Sequence, residues 1–150
     1  MRKHIDNILA HLLVILMAAM VINVIWQVAS RYLFNSPSGF TDELAGFLMI
    51  WVGLLGAAYA SGKGLHLAID IIRESKQINP VVLDRTIHIL IIIFAVAVLV
   101  IGGSRLVYLT LDLEQFSANL KIPVGYIYLA LPLSGLLITY YAISNLLSHD

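Results

Sequence analysis

The stretch WQVASRYLFNSPSGFTDELAGF, residues 26–47, decides the fold. It sets Arg31, Pro37, Gly39, Asp42 and Glu43 between two long apolar runs. Pro37 and Gly39 are turn formers. Thr41 is a good helix cap, and the two acids after it suit the positive end of a helix dipole. The stretch therefore reads as the corner of a helical hairpin. A bilayer core takes about 20 apolar residues of helix to cross. The runs on either side, Ile8 to Tyr32 and Leu44 to Ala60, supply that length.

The rest of the chain agrees. Its 150 residues are 60% hydrophobic and 12% charged, whereas a soluble domain is nearer half apolar and about a quarter charged. A fold this small leaves much of its surface exposed, so the solvent for that surface is lipid. Two further runs qualify as spans, one within Val81–Leu111 and one from Pro123 to Leu147. Backbone in lipid must satisfy its own hydrogen bonds, which makes helices the reading for runs of this length. The expected fold is an all-α integral membrane protein, one four-helix domain over residues 1–150, with spans at about 8–32, 42–61, 81–111 and 123–147. Pro123 suits a helix start, and Pro132 should kink the fourth span.

The N-terminus mimics a signal peptide, with basic residues before an apolar run. Ile8 to Ala29 is longer than the roughly 7–15 residues of a signal core, and no clean cleavage site follows. The expectation is an uncleaved first span. Net charge is zero, which points away from nucleic acid. With no cysteine, disulfides and thiolate metal sites are excluded. Arg2, Lys3, Lys63, Arg73, Lys76 and Arg85 fall on one side of the expected topology; Arg31, Arg105 and Lys121 fall on the other. The excess places both termini in the cytoplasm.

Charge is scarce, so its positions carry information. Arg31 ends the first span and Asp42 and Glu43 open the second. One reading is an ion-pair latch between the two helices; the other is an arginine that snorkels while the acids cap. Gln27 and Asn23 lie one and two turns inward from Arg31, a polar stripe that faces either this chain or a partner. Gly53, Ala57 and Ser61 form a small-residue packing stripe on the second span. Between spans two and three, residues 64–77 alternate as a short amphipathic interfacial helix. There His66 and Asp70 form either a hydrogen-bonded pair or two metal ligands without an evident third, so no metal is assigned. Asp112, Glu114 and Lys121 on the last loop are either docking residues or ordinary solvated charges.

The central parts of the spans hold no Asp, Glu, Lys, Arg or His. A coupled carrier needs an ionisable group or a broken helix near mid-membrane. There is no nucleotide loop and no nucleophile–base pattern. The chain therefore reads as a non-enzymatic companion of another membrane protein. Two alternatives stay open: a small autonomous oligomeric exporter, and a redox anchor holding haem between His11 and His88.

Several motifs in order resemble the small membrane (Q, DctQ-like) subunit of tripartite ATP-independent periplasmic (TRAP) transporters. They are Ser30-Arg31-Tyr32, Asn35 and Pro37, Phe40-Thr41-Asp42-Glu43-Leu44-Ala45, Trp51 with Gly53, Gly56 and Ala57, and His66 with Asp70. Ile122-Pro123, Tyr126, Tyr128-Leu129-Ala130 and Pro132 complete the pattern. Phe40 stands where many members have tryptophan, and Gly46 where many have arginine. The resemblance implies a scaffold subunit of the bacterial inner membrane that binds lipid and a large permease subunit. That partner would carry the sodium and substrate sites, so no substrate site and no cofactor are expected in this chain. A periplasmic binding protein would deliver an organic acid of the sialic acid or C4-dicarboxylate class.

Overall fold

The computed structural model describes residues 2–33, 39–63 and 80–148, and they are almost wholly helical. Helix α1 spans Arg2–Leu33 and α2 spans Gly39–Gly62. The third crossing is built of α3 (Pro80–Phe94), a π-helical segment (Ala95–Gly102) and α4 (Gly103–Asp112). The fourth is built of α5 (Val124–Tyr128) and α6 (Ala130–Ser148). Four helical stretches, Arg2–Leu33, Gly39–Gly62, Arg85–Asp112 and Val124–Leu146, are long and apolar enough to cross a membrane. The amphipathic segment expected at 64–77 lies outside the described residues.

The spans pack in a row. α1 lies on α2, α2 on α6, and α6 on α3 and the π segment. α1 also touches α6 through side chains near its N-terminal end. There Leu9, Leu55, Ala58 and Tyr141 form a buried cluster, with Trp51 and Leu137 against it. Most of the remaining apolar surface is open, including Ile8, Ile15, Ile22 and Ile25 on α1. In water this exposure would be untenable, whereas in lipid it costs nothing.

Close helix contact depends on glycine where two backbones meet. A Cβ added at Gly135 on α6 would stand 2.7 Å from Leu99 Cβ and 3.1 Å from the Val100 backbone nitrogen. One at Gly103 would stand 2.8 Å from Leu131 Cβ. The third and fourth crossings thus meet nearly backbone to backbone.

Several boundaries differ from the sequence expectation. α1 begins at Arg2, two turns before the apolar run, because its first turns pair with side chains of α6. α2 begins at Gly39, so Thr41 is not its cap; Thr41 sits inside the first turn, buried. Pro123 precedes its helix as the cap, with ψ 121°. The fourth span breaks at Leu129, three residues ahead of Pro132. A proline lacks an N–H and crowds the carbonyl four residues earlier, here Tyr128, so the disturbance falls on the preceding turn. The π segment lies where Leu99 and Val100 press on Gly135. Its all-apolar sequence carries no local signal for the wider turn.

Candidate functional site

Two polar clusters bind the spans, one at each end. At the Glu43 end, Asn23 of α1 is buried and donates through Nδ2 to the Thr41 carbonyl at 2.7 Å. One turn on, Gln27 Nε2 donates to Asp42 Oδ1 at 2.8 Å. Glu43 turns elsewhere. Its carboxylate accepts the backbone N–H groups of Ala118 at 3.0 Å, Asn119 at 2.9 Å and Leu120 at 2.9 Å. Successive helical residues point about 100° apart. Asp42 therefore faces α1 while Glu43 faces the loop after α4.

That geometry corrects the latch. No carboxylate among the described residues lies within ion-pair distance of Arg31; an ion pair that does form is Lys63–Asp6, at 3.8 Å. The α1–α2 corner is closed by the amides of Asn23 and Gln27, and both acids have other partners. Arg31 is exposed and, with Gln27, Val28 and Tyr32, borders a cavity of about 290 Å³.

The loop after α4 is a small hairpin. Ser117 N–H donates to the Ile122 carbonyl at 2.9 Å, Val124 N–H to the Gln115 carbonyl at 2.8 Å, and Phe116 pairs with Pro123. Glu114 and Lys121 adopt left-handed backbone, φ 49° and 54°. Those two and Asp112, the expected docking residues, are all exposed at this end.

At the other end, Arg2 joins three helices. Its Nη2 donates to the Gly62 carbonyl at 2.6 Å and to Asn145 Oδ1 at 2.7 Å, and Nη1 donates to Ser144 Oγ at 3.4 Å. The guanidinium stands 5.9 Å from the Tyr141 ring centre. Tyr141, fully buried, donates its hydroxyl to Asp6 Oδ1 at 2.6 Å. Asn145 returns a bond to the Ser61 carbonyl at 3.3 Å. Sequence reading missed this cluster. Its signal was there: Arg2 and Asp6 one turn apart on α1, and Tyr141, Ser144 and Asn145 on one face of α6.

The packing stripe divides. Ser61 is buried within the chain, but Gly53 and Ala57 are exposed. A Cβ at Gly46, Gly53 or Gly56 would meet no heavy atom within 4 Å. His66 and Asp70 lie outside the described residues. His11 donates through Nδ1 to the Asn7 carbonyl at 2.7 Å, and His88 is buried on α3. α1 packs on α2, whereas α3 packs on α6 and the π segment. Among the described residues no three His, Cys, Asp or Glu side chains gather as a metal site. A cavity of about 300 Å³ between α1, α2 and α6 is lined by Ile5, Ile8, Leu9, Leu12, Trp51, Leu55, Leu133 and Leu137. That lining offers an organic acid no charge, and its one polar side-chain group is the Trp51 indole N–H.

Comparison with known proteins places these features in a group. Residues 20–150 match the family described as "Tripartite ATP-independent periplasmic transporters, DctQ component". The sialic acid TRAP transporter small permease protein SiaQ of Vibrio cholerae is 31% identical over 137 residues, covering 86% of this chain and 79% of that protein. A putative TRAP transporter small permease protein of Haemophilus influenzae is 28% identical over 145 residues, covering 96% and 88%.

Proposed function

Because this chain belongs to the DctQ component family of tripartite ATP-independent periplasmic transporters, we propose that it is the static small permease subunit of a sodium-driven, receptor-dependent importer of an organic acid. The chain braces a large permease subunit in the bacterial inner membrane, with both termini in the cytoplasm. The name of the Vibrio cholerae relative favours sialic acid over a C4-dicarboxylate as the cargo. Sodium and substrate bind in the large subunit, and a periplasmic binding protein delivers the acid.

The observation that carries this reading is the distribution of polar groups. The two clusters, Asn23–Thr41 with Gln27–Asp42 and Arg2–Asp6–Tyr141–Asn145, lie at the ends of the spans and are spent on holding helices together, while Glu43 is spent on the hairpin after α4. Between them the central parts of the spans hold no Asp, Glu, Lys, Arg or His, and the hydroxyls of Thr110 and Thr139 bond to carbonyls of their own helix. A carboxylate crossing there would meet no counter-charge.

Two features suit a neighbouring subunit. The open faces at Gly46, Gly53 and Gly56 admit another helix backbone at close range. Arg31, which pairs with no carboxylate among the described residues, suits one on the large subunit.

Reconstitution tests the proposal. Liposomes holding this chain and the large subunit, given a sodium gradient and the binding protein, should accumulate the acid. Liposomes lacking any one component should not. Gradient-driven accumulation by this chain alone would overturn the scaffold role.

A further inference from the structure

The hairpin after α4 is held more firmly than a connecting loop requires. Its base is closed by the Ser117–Ile122 and Gln115–Val124 backbone bonds. Its tip gives three successive N–H groups, those of residues 118–120, to Glu43 alone. Consecutive amides aimed at one point form a concave anion site, and here a neighbouring helix fills it. The tip also rests on α2 directly, since a Cβ at Gly39 would stand 3.0 Å from Asn119 Oδ1.

What this hairpin holds up is unusual for a loop. Leu113 is 64% exposed and Phe116 56%. Both lie beyond the ends of the candidate spans, Arg85–Asp112 and Val124–Leu146. Exposed Asp112 and Glu114 flank them. Carboxylates are repelled by anionic headgroups, so a lipid surface is the poorer occupant. An aromatic and a leucine on a pinned backbone match the anchor of a protein interface, because a preordered loop forfeits little entropy on binding.

We propose that Glu43 is a positioning residue. It presets the 113–123 hairpin so that Leu113 and Phe116, flanked by Asp112 and Glu114, form a docking ridge for a soluble protein whose contact surface is an apolar pocket rimmed by lysine or arginine. The proposal rests on the receptor-dependent reading above and adds the surface and the residue that holds it ready.

The test uses the assembled two-subunit complex in liposomes with purified binding protein. Glu43→Gln keeps the size of the side chain and removes the carboxylate. A nitroxide at Lys121 reports hairpin motion. In Glu43→Gln, assembly and uptake at saturating binding protein should match the unsubstituted complex. The label should become more mobile, and the binding-protein concentration for half-maximal uptake should rise roughly tenfold, the scale of one lost interface anchor. Phe116→Ala should raise the same requirement without mobilising the label. If Glu43→Gln prevents assembly, its role is structural and the proposal fails. If both variants keep the original requirement, the docking ridge fails while receptor dependence stands. If a nitroxide placed at residue 116 through Phe116→Cys relaxes faster with oxygen than with a water-soluble nickel chelate in the receptor-free complex, the occupant is the membrane. If the unsubstituted complex imports without binding protein, the underlying reading falls and this proposal with it.

Discussion

Gly135 and Gly53 are both helical glycines in membrane-spanning segments, yet alanine should act oppositely at the two. At Gly135 the new Cβ would stand 2.7 Å from Leu99 Cβ, 2.9 Å from Val100 Cγ2 and 3.1 Å from the Val100 nitrogen. Carbon pairs are most favourable at about 3.5–4.0 Å. Two of these three atoms are a Cβ and a backbone nitrogen, which no rotamer change removes. Forced overpacking of this kind costs about 1–3 kcal/mol. At Gly53 the same methyl meets nothing within 4 Å. Alanine also gains up to about 1 kcal/mol of helix propensity over glycine in water. That gain is common to both variants, so their difference isolates the contact, at about 1–3 kcal/mol. The assay is SDS-induced unfolding in mixed micelles. Fluorescence is read from Trp51, which packs on the buried cluster, in a Trp26→Phe background. Gly135→Ala should unfold at lower SDS than the unsubstituted chain, and Gly53→Ala at equal or higher SDS. Coincident midpoints for the two variants would refute the close backbone contact between α6 and the π segment.

Three further predictions use the same unfolding assay and assembly with the large subunit. Tyr141→Phe deletes the donor to Asp6 at 2.6 Å inside a fully buried site. It should lower stability by about 1–3 kcal/mol, and an unchanged midpoint would remove Tyr141 from the inter-helix network. Asn23→Ala loses the 2.7 Å bond to the Thr41 carbonyl; inter-helix hydrogen bonds in membranes average about 0.6 kcal/mol, so a loss of about 0.5–1.5 kcal/mol is expected. Arg31→Gln should leave the isolated chain within about 0.5 kcal/mol of its original stability, as exposed substitutions do. It should also reduce co-purification with the large subunit. Reduced stability with full co-purification would return Arg31 to a role inside this chain.

Much of this protein was legible without coordinates. Four apolar runs of bilayer length dictate four helices, because lipid leaves the backbone no other way to pair its N–H and carbonyl groups. The corner at Pro37–Gly39 and the acids after it mark where α2 begins to within a turn. The scarcity of charge inside the spans is visible residue by residue, and the proposed supporting role rests on it.

Only the tertiary structure decided how the few polar groups pair. From order along the chain, Arg31 and Glu43 look like natural partners; in space Glu43 is claimed by the amides of residues 118–120, which lie 75 to 77 positions away. Arg2 and Asn145 are likewise 143 positions apart. Local pattern sets which face of a helix a residue occupies, but not which helix comes to meet that face. The same holds for the glycines. Gly53 and Gly135 are indistinguishable by composition, and only packing shows that one is crowded by a neighbouring backbone while the other is left open.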